Sequence, residues 1–278
     1  MTISAKDLSA FTAHLLAEGR SGGTVEKYLR DARGFVLWLN DGELTAESAA
    51  VWREELLRRG RAPVTVNSML SAVNRLLKFL GREDCKVNFL RIQRKVFRAQ
   101  ERELTRAEYQ KLLETARDLG RERLALLMET VCSTGIRVSE VRYITVEAAR
   151  RGRAEVSLKG KIRTILLPAK LCRKLLKYAR QQKTASGEIF LTGSGRSLSR
   201  RQIWREMKNL CEKAGVAPSK VFPHNLRHLF ATVFYRSCRD IVKLADILGH
   251  SSINTTRIYL MTTGEEHARQ LEKLGLVT

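Results

Sequence analysis

The stretch from Pro223 to Tyr259 gathers two imidazoles, a guanidinium and a phenol: His224, Arg227, His250 and Tyr259. Together they form a set suited to handling phosphate. A guanidinium presents a planar fork of donors that matches phosphate oxygens. An imidazole donates a hydrogen bond or moves a proton near neutral pH. A tyrosine oxygen can attack phosphorus and form a covalent ester. Singly, each residue also has a plain structural reading: His250 beside Gly249 fits a helix cap, and Tyr259 at helical spacing fits a core position. The joint pattern is what points to chemistry.

That pattern is ordered as His224-Asn225-Leu226-Arg227, Leu248-Gly249-His250 and Thr256-Arg257-Ile258-Tyr259. It resembles the tyrosine recombinase (phage-type integrase) family, whose signature is His-x-x-Arg, Leu-Gly-His and Thr-x-x-Tyr. The resemblance calls for a box upstream with Thr-Gly-x-Arg-x-Ser-Glu, and Thr134-Gly135-Ile136-Arg137-Val138-Ser139-Glu140 supplies it. Four boxes in one order are far more specific than a single short motif.

The resemblance implies an enzyme that cleaves and rejoins DNA through a 3′-phosphotyrosyl intermediate, with Tyr259 as nucleophile. Arg137 and Arg227 then clamp the non-bridging oxygens, where fixed donors meet developing charge. His224 and His250 add hydrogen bonds and manage the nucleophile's proton, because a phenol loses its proton only near pH 10, about three units above neutrality. The leaving 5′-oxygen needs a proton, and the family takes it from a Lys at the tip of a hairpin. Here Leu158-Lys159-Gly160-Lys161-Ile162-Arg163 stands where the family has Gly-Lys-Gly-x-Lys-x-Arg, which makes Lys159 the expected acid and Lys161 its competitor. Glu140 is given a structural role, paired with a nearby Arg. Two departures leave the catalytic groups intact: Leu229 stands after His228 where Ser or Thr is frequent, and Leu260-Met261 follow the tyrosine in place of Thr-His. No metal and no nucleotide cofactor is implied. The implied partners are double-stranded DNA with specific recombination sites and a tetramer on that DNA, either of identical chains or with a related recombinase.

Composition agrees with a nucleic-acid partner. The chain has 278 residues, 51 Lys plus Arg against 29 Asp plus Glu, a formal charge of +22 and a pI near 10.3. Such an excess suits a polyanion, and its spread through both halves argues against a single membrane-facing cluster. A hydrophobic content of 44% supports packed cores. The start, MTISAKDLSAF, lacks the apolar core of a secretory signal, and no apolar run reaches membrane-spanning length. Five scattered cysteines without a Cys-x-x-Cys pair read as reduced thiols, mostly buried, rather than a disulfide framework or zinc site. A cytoplasmic, nucleoid-associated protein is expected.

The elements that must carry these groups follow from periodicity. The fold expected is mainly α with a small antiparallel β-sheet: a helical-bundle N-terminal domain at 1–90, a basic linker at 91–103 and a mixed catalytic domain at 104–278. In the first part, Leu8, Phe11 and Leu15 form one stripe. Thr24 is expected to cap a helix carrying Val25, Leu29, Ala32, Val36 and Leu39. Further helices run from about Ala46 to Leu57 and from Pro63 to Leu80. This part is similar to the family's core-binding, SAM-like domain through Thr24 to Tyr28 and Lys78-Phe79-Leu80. The linker, rich in arginine from Arg91 to Arg106, is expected to cross DNA phosphates, and the family architecture implies a C-shaped clamp around DNA.

The second part opens on a capping box, Thr105 with Glu108. Residues 154–158 and 163–167 are the expected hairpin strands around Gly160, with 188–192 as a possible third strand. Ser199 is expected to cap a basic helix bearing Arg200, Arg201, Arg205 and Lys208. A last helix from Glu265 to Gly275 is expected, by the resemblance, to dock on a neighbouring subunit. No segment precedes the bundle here, so the expectation is a simple two-domain, Xer-like recombinase. Two alternatives stay open: a type IB topoisomerase, which shares the nucleophile, and a catalytically silent DNA-binding protein. A metal hydrolase is disfavoured, because His224 and His228 lack the Glu that follows the first His of a zincin.

Overall fold

In the computed structural model the described residues are 1–40, 42–93, 103–158, 161–257, 259 and 272–275. The chain divides into two compact units, Met1–Arg94 and Lys95–Thr278.

The first unit is built from α1 (Ala5–Ala17), α2 (Gly22–Leu39), α3 (Ser48–Arg58) and α4 (Pro63–Phe79). Phe11, Leu15, Ala32, Phe35, Trp52, Val66, Leu70, Val73 and Leu77 fill its centre. They recur at the three- and four-residue steps that put side chains on one helical face. α1 carries a full capping box, with Ser4 and Asp7 satisfying each other's backbone N–H. α2 starts earlier than expected: Ser21, not Thr24, holds the cap position, and Gly22 and Gly23 enter the first turn. The two hydroxyls pair with each other at 2.9 Å instead. α3 begins two residues later than expected, at Ser48, after a turn in which the Ser48 N–H donates to the Thr45 carbonyl at 3.2 Å and the Thr45 N–H to the Ser48 hydroxyl at 2.9 Å. After α4, the extended stretch past Lys86 is strapped to that helix by two asparagines one heptad apart. Asn74 exchanges two hydrogen bonds with Val87, and Asn67 exchanges two with Leu90.

The second unit holds α5 (Arg106–Asp118), α6 (Glu122–Thr134), α7 (Val146–Arg151), β1 (Arg153–Leu158), β2 (Lys161–Leu166), α8 (Ala169–Gln181), α9 (Arg200–Ala214), α10 (Pro223–Cys238), α11 (Ile241–Leu248) and α12 (Ile253–Arg257). α6 runs through the middle: Leu124, Leu126, Leu127, Met128 and Val131 are all buried. α5 opens on the expected box, Thr105 with Glu108, and Ser199 caps α9 by accepting from the Gln202 N–H. β1 and β2 pair antiparallel from Arg153↔Leu166 to Leu158↔Lys161. Alternation along the pair turns Ala154, Val156 and Ile165 inward and leaves Ile162 and Leu166 exposed.

The stretch 188–192 is not a third strand. It makes only single bridges, Thr145↔Glu188 and Leu191↔Ser197. The Gly193-Ser194-Gly195 turn folds it back, with Thr192 bonding Arg196 and Gly195 bonding Thr192, and Ile189 and Phe190 enter the core. Cys85, Cys172 and Cys211 are buried free thiols, while Cys238 is exposed. Among the described residues no helix is long and apolar enough to cross a membrane. The hairpin tip at Lys159-Gly160, most of the basic linker, and the final helix up to residue 271 lie outside the described residues.

Candidate active site

Two glycines decide how the boxes come together. α6 ends at Gly135 with φ +65°, a conformation that strains any residue with a Cβ. A Cβ there would also meet Phe230 of α10 at 2.4 Å and Leu248 of α11 at 2.9 Å. The chain therefore turns against those two helices and delivers Arg137 two residues later. Gly249 does the same after α11: its φ is +64°, and a Cβ would strike the Arg163 side chain at 2.4 Å. The close approach lets Arg163 reach the Leu248 carbonyl and places His250 beside it.

Glu140 is the hub. It sits in the 3-10 turn Val138–Tyr143 with only 2% of its side chain exposed. Its carboxylate accepts from the Arg137 backbone N–H at 2.8 Å, the Arg137 guanidinium at 3.0 Å and the Arg163 guanidinium at 3.1 Å. One carboxylate thus anchors two arginines, while Arg137 stays 42% exposed and open to a ligand.

Arg227, on the second turn of α10, is buried. It donates to the Gly135 carbonyl, to the Leu248 carbonyl at 2.8 Å and to His250 Nε2 at 2.9 Å, and it interacts with the Tyr259 phenol. Its burial, with Arg137 alongside, pulls it below the ordinary arginine range. Burial lowers Arg163 too, against the pull of Glu140. Three guanidiniums around one carboxylate leave an uncompensated positive site, the condition in which an anion gains most.

His250 is half-buried, with Nδ1 2.9 Å from the Thr256 hydroxyl. Burial, then Arg227, Arg137, Arg163 and His224, push its pKa down to about 4. Tyr259 is buried. The His250 ring lies parallel to it at 5.7 Å and 7°, the His228 ring stands at 5.2 Å, and the His224 ring at 6.0 Å. His224 itself is exposed in the first turn of α10. His228 packs inward, the structural position expected of it.

A cavity of about 490 Å³ joins these groups, lined by Arg137, His224, Arg227, His250 and Tyr259 together with Arg200, Trp204 and Phe222. The structure so brings together five of the six residues singled out in the sequence, and Lys159 lies outside the described residues. The sequence alone gives no role to Arg163, Thr256 or Trp204. Arg163 and Thr256 stand inside the matched strings, but Trp204 has only its place on the basic α9 helix to mark it.

Comparison with known proteins defines the class. Residues 102–266 match the Phage integrase family, and residues 8–84 match the phage integrase N-terminal SAM-like domain. The chain belongs to the phage integrase family and is a site-specific tyrosine recombinase. It is 30% identical over 285 residues to tyrosine recombinase XerA of Pyrococcus furiosus, covering 99% of this chain and 96% of that one. It is 26% identical to tyrosine recombinase XerD of Halalkalibacterium halodurans, over 88% of this chain and 89% of that one. Among solved structures, a lambda integrase dimer bound to a COC′ core site superposes with a TM-score of 0.75 at 17% identity, covering 93% and 95% of the two chains. The XerH recombinase bound to its difH substrate superposes at 0.67 with 20% identity, covering 96% and 84%.

Proposed function

We propose that Tyr259 attacks a DNA phosphodiester held by Arg137 and Arg227. The Tyr259 oxygen bonds to phosphorus, the bond to the 5′-oxygen breaks, and a 3′-phosphotyrosyl ester remains. The phenolic proton passes to an imidazole of the cavity, His250 or His224. A hairpin lysine, Lys159 with Lys161 as the alternative, gives its proton to the departing 5′-oxygen. The free hydroxyl of another strand then attacks the ester and reverses the step, so strands exchange without loss of bond energy.

One observation carries this reading: the nucleophile's phenol, a buried guanidinium and an imidazole touch within one positive cavity. Arg227 spends three of its five N–H donors on two carbonyls and His250. The remaining two serve the phenol and an incoming phosphate oxygen. Arg137, anchored from behind by Glu140, offers the second fork.

The proposed partner is double-stranded DNA carrying specific sites, contacted also by the basic linker at 91–103. The proposed assembly is a tetramer on DNA, of this chain alone or with a related recombinase. Related proteins support this: XerH has been seen on difH, and lambda integrase as a tetramer on a Holliday junction. The protein is proposed to work in the cytoplasm, at the nucleoid.

The test is a suicide substrate nicked beside the scissile phosphate. The native chain is expected to form a protein–DNA adduct that survives boiling in detergent, and Tyr259→Phe to form none. An adduct that persists in Tyr259→Phe overturns the assignment of the nucleophile.

A further inference from the structure

We propose that the exposed face of α8 is a second DNA surface, on which Lys170, Arg173, Lys177 and Arg180 grip the phosphates of a further duplex while the first occupies the catalytic cavity. This rests on that cavity taking the first duplex, and goes further by giving the chain a sequence-independent hold on another.

From Leu166 to Gly187 the sequence holds Lys170, Arg173, Lys174, Lys177, Arg180 and Lys183 and no Asp or Glu. Among the described residues only Lys174 of these makes an ion pair, with Glu129 of α6 at 2.7 Å. The other five are exposed. Leu171, Leu175 and Tyr178 turn the opposite face of α8 into the core. Lys170, Arg173, Lys177 and Arg180 follow at steps of three and four, so they share one face, like charge over like charge. Such neighbours repel and weaken a helix. A face that keeps four of them, with no acid in the same stretch, suits a polyanion. Lys183 extends the row from an uncommon backbone: its φ is +55°, the left-handed conformation that glycine usually supplies just past a helix. There it joins Arg180 and Arg150 of α7 in lining a cavity of about 500 Å³, into which no described acidic residue opens. Glu147, the acid nearest to Arg150 in sequence, bonds the Gly187 N–H at 3.1 Å instead.

Spacing and chemistry favour DNA over protein or lipid. The helix rises about 15 Å from Lys170 to Arg180. One strand of a duplex carries a charge every ~3.4 Å, about four over that length. Four cations thus face about four phosphates. No large apolar side chain of α8 is exposed, whereas protein interfaces centre on aromatic or aliphatic anchors. A helix lying on a membrane needs its apolar face free, and here that face is in the core. Contacts to phosphate alone carry no sequence preference. The row is also separate from the cleavage site. α8 packs on α6 and α7. The cavity at Tyr259 is lined from α9, α10, the segment after α11 and the turn after Gly135, with no residue of α7 or α8.

The experiment uses the full chain and reads by mass spectrometry which lysines an acetylating reagent reaches. The probe is a short duplex of unrelated sequence, added after the suicide substrate has filled the cleavage cavity. Lys170 and Lys177 are expected to react freely with the suicide substrate alone, and about tenfold more slowly once the second duplex is added. With four phosphate contacts, affinity for that duplex should fall by about 100-fold between roughly 50 and 200 mM salt. The variant Lys170→Gln/Arg173→Gln/Lys177→Gln/Arg180→Gln leaves the core face and the Lys174–Glu129 pair intact. It should lose capture of the second duplex by at least about tenfold and keep adduct formation within about twofold. Lysines that stay reactive in excess duplex overturn the proposal. Protection by the suicide substrate alone does so too, since α8 would then belong to the first interface. Protection by polyglutamate and not by duplex would assign the face to a protein, and a variant that captures like the native chain would remove the row from the contact. If the variant fails to fold, the footprint of the native chain decides. If no adduct forms, the cleavage reading fails, and the lysine footprint still reports whether duplex covers α8.

Discussion

Replacing Glu140 by Gln tests whether one buried carboxylate organises the cavity. The change conserves shape and removes the only negative charge that pairs with Arg137 and Arg163 among the described residues. Glu140 accepts three hydrogen bonds, two of them from guanidiniums. Gln keeps one acceptor oxygen and turns the other position into a donor, which must face a donor whichever way the amide is placed. Breaking a buried pair by removing one partner costs about 3–5 kcal/mol, because the surviving charge stays buried and unmatched. Arg163 is that charge: it is only 15% exposed, and its other contact is a neutral carbonyl. For a unit of this size each kcal/mol moves the melting midpoint by about 2–4 °C, so Glu140→Gln should melt about 10 °C lower. Adduct formation should also fall by about 100-fold, since a catalytic group misplaced by roughly 1 Å loses that much. Calorimetry and the suicide substrate read the two effects. A variant that melts within about 2 °C of the native chain and cleaves at its rate would refute the reasoning.

Two further outcomes follow from the same geometry. Gly249→Ala sets a Cβ 2.4 Å from Arg163 at φ +64°, so backbone strain of about 1–2 kcal/mol adds to loss of the Arg163 contact. Urea unfolding should show a loss of at least about 2 kcal/mol, and an unchanged midpoint would contradict the close approach. The depressed pKa of His250 fixes a pH dependence. The unfolded imidazole takes up its proton near pH 6.5, whereas the folded one does so at about 4. Between those values the unfolded state binds more protons, so stability is full above pH 6.5 and falls as pH drops towards 4. With allowance for solvent screening at a half-buried ring, the loss is about 1–2 kcal/mol. NMR titration should find His250 neutral at pH 5.5 and should show its pKa rising when DNA is bound, because the phosphate offsets the arginines. Titration near 6.5 without DNA would contradict the site's positive field.

How the site holds together without a ligand is a question of where each positive charge leans. Arg163 and Arg137 lean on Glu140, and Arg227 on two carbonyls and a lone pair. Carbonyl oxygens are helix-end acceptors that α6 and α11 leave unpaired in any case. Arg227 therefore fills a vacancy in two helices with the side chain that later grips phosphate. The arrangement is stable enough to fold and still short of negative charge, and that shortage favours an anion.

The same logic explains what could be read from the sequence. The bundle helices, the hairpin, the capping box at Thr105, the cap at Ser199 and five cavity residues are visible because each is encoded locally, by periodicity, by a cap or by a matched string. Ser21 displaced Thr24 as a cap because both hydroxyls sit at one helix start, and local preference does not separate them. Residues 188–192 have strand composition but no partner edge to pair with. Arg163 reads in the sequence as part of a strand, and its task depends on Glu140 lying 23 positions away. Thr256 stands in the sequence as a motif letter, and its contact with His250 Nδ1 depends on α11 and α12 packing together. A matched string records which side chains are present. Which atoms meet is decided by where Gly135 and Gly249 turn the chain.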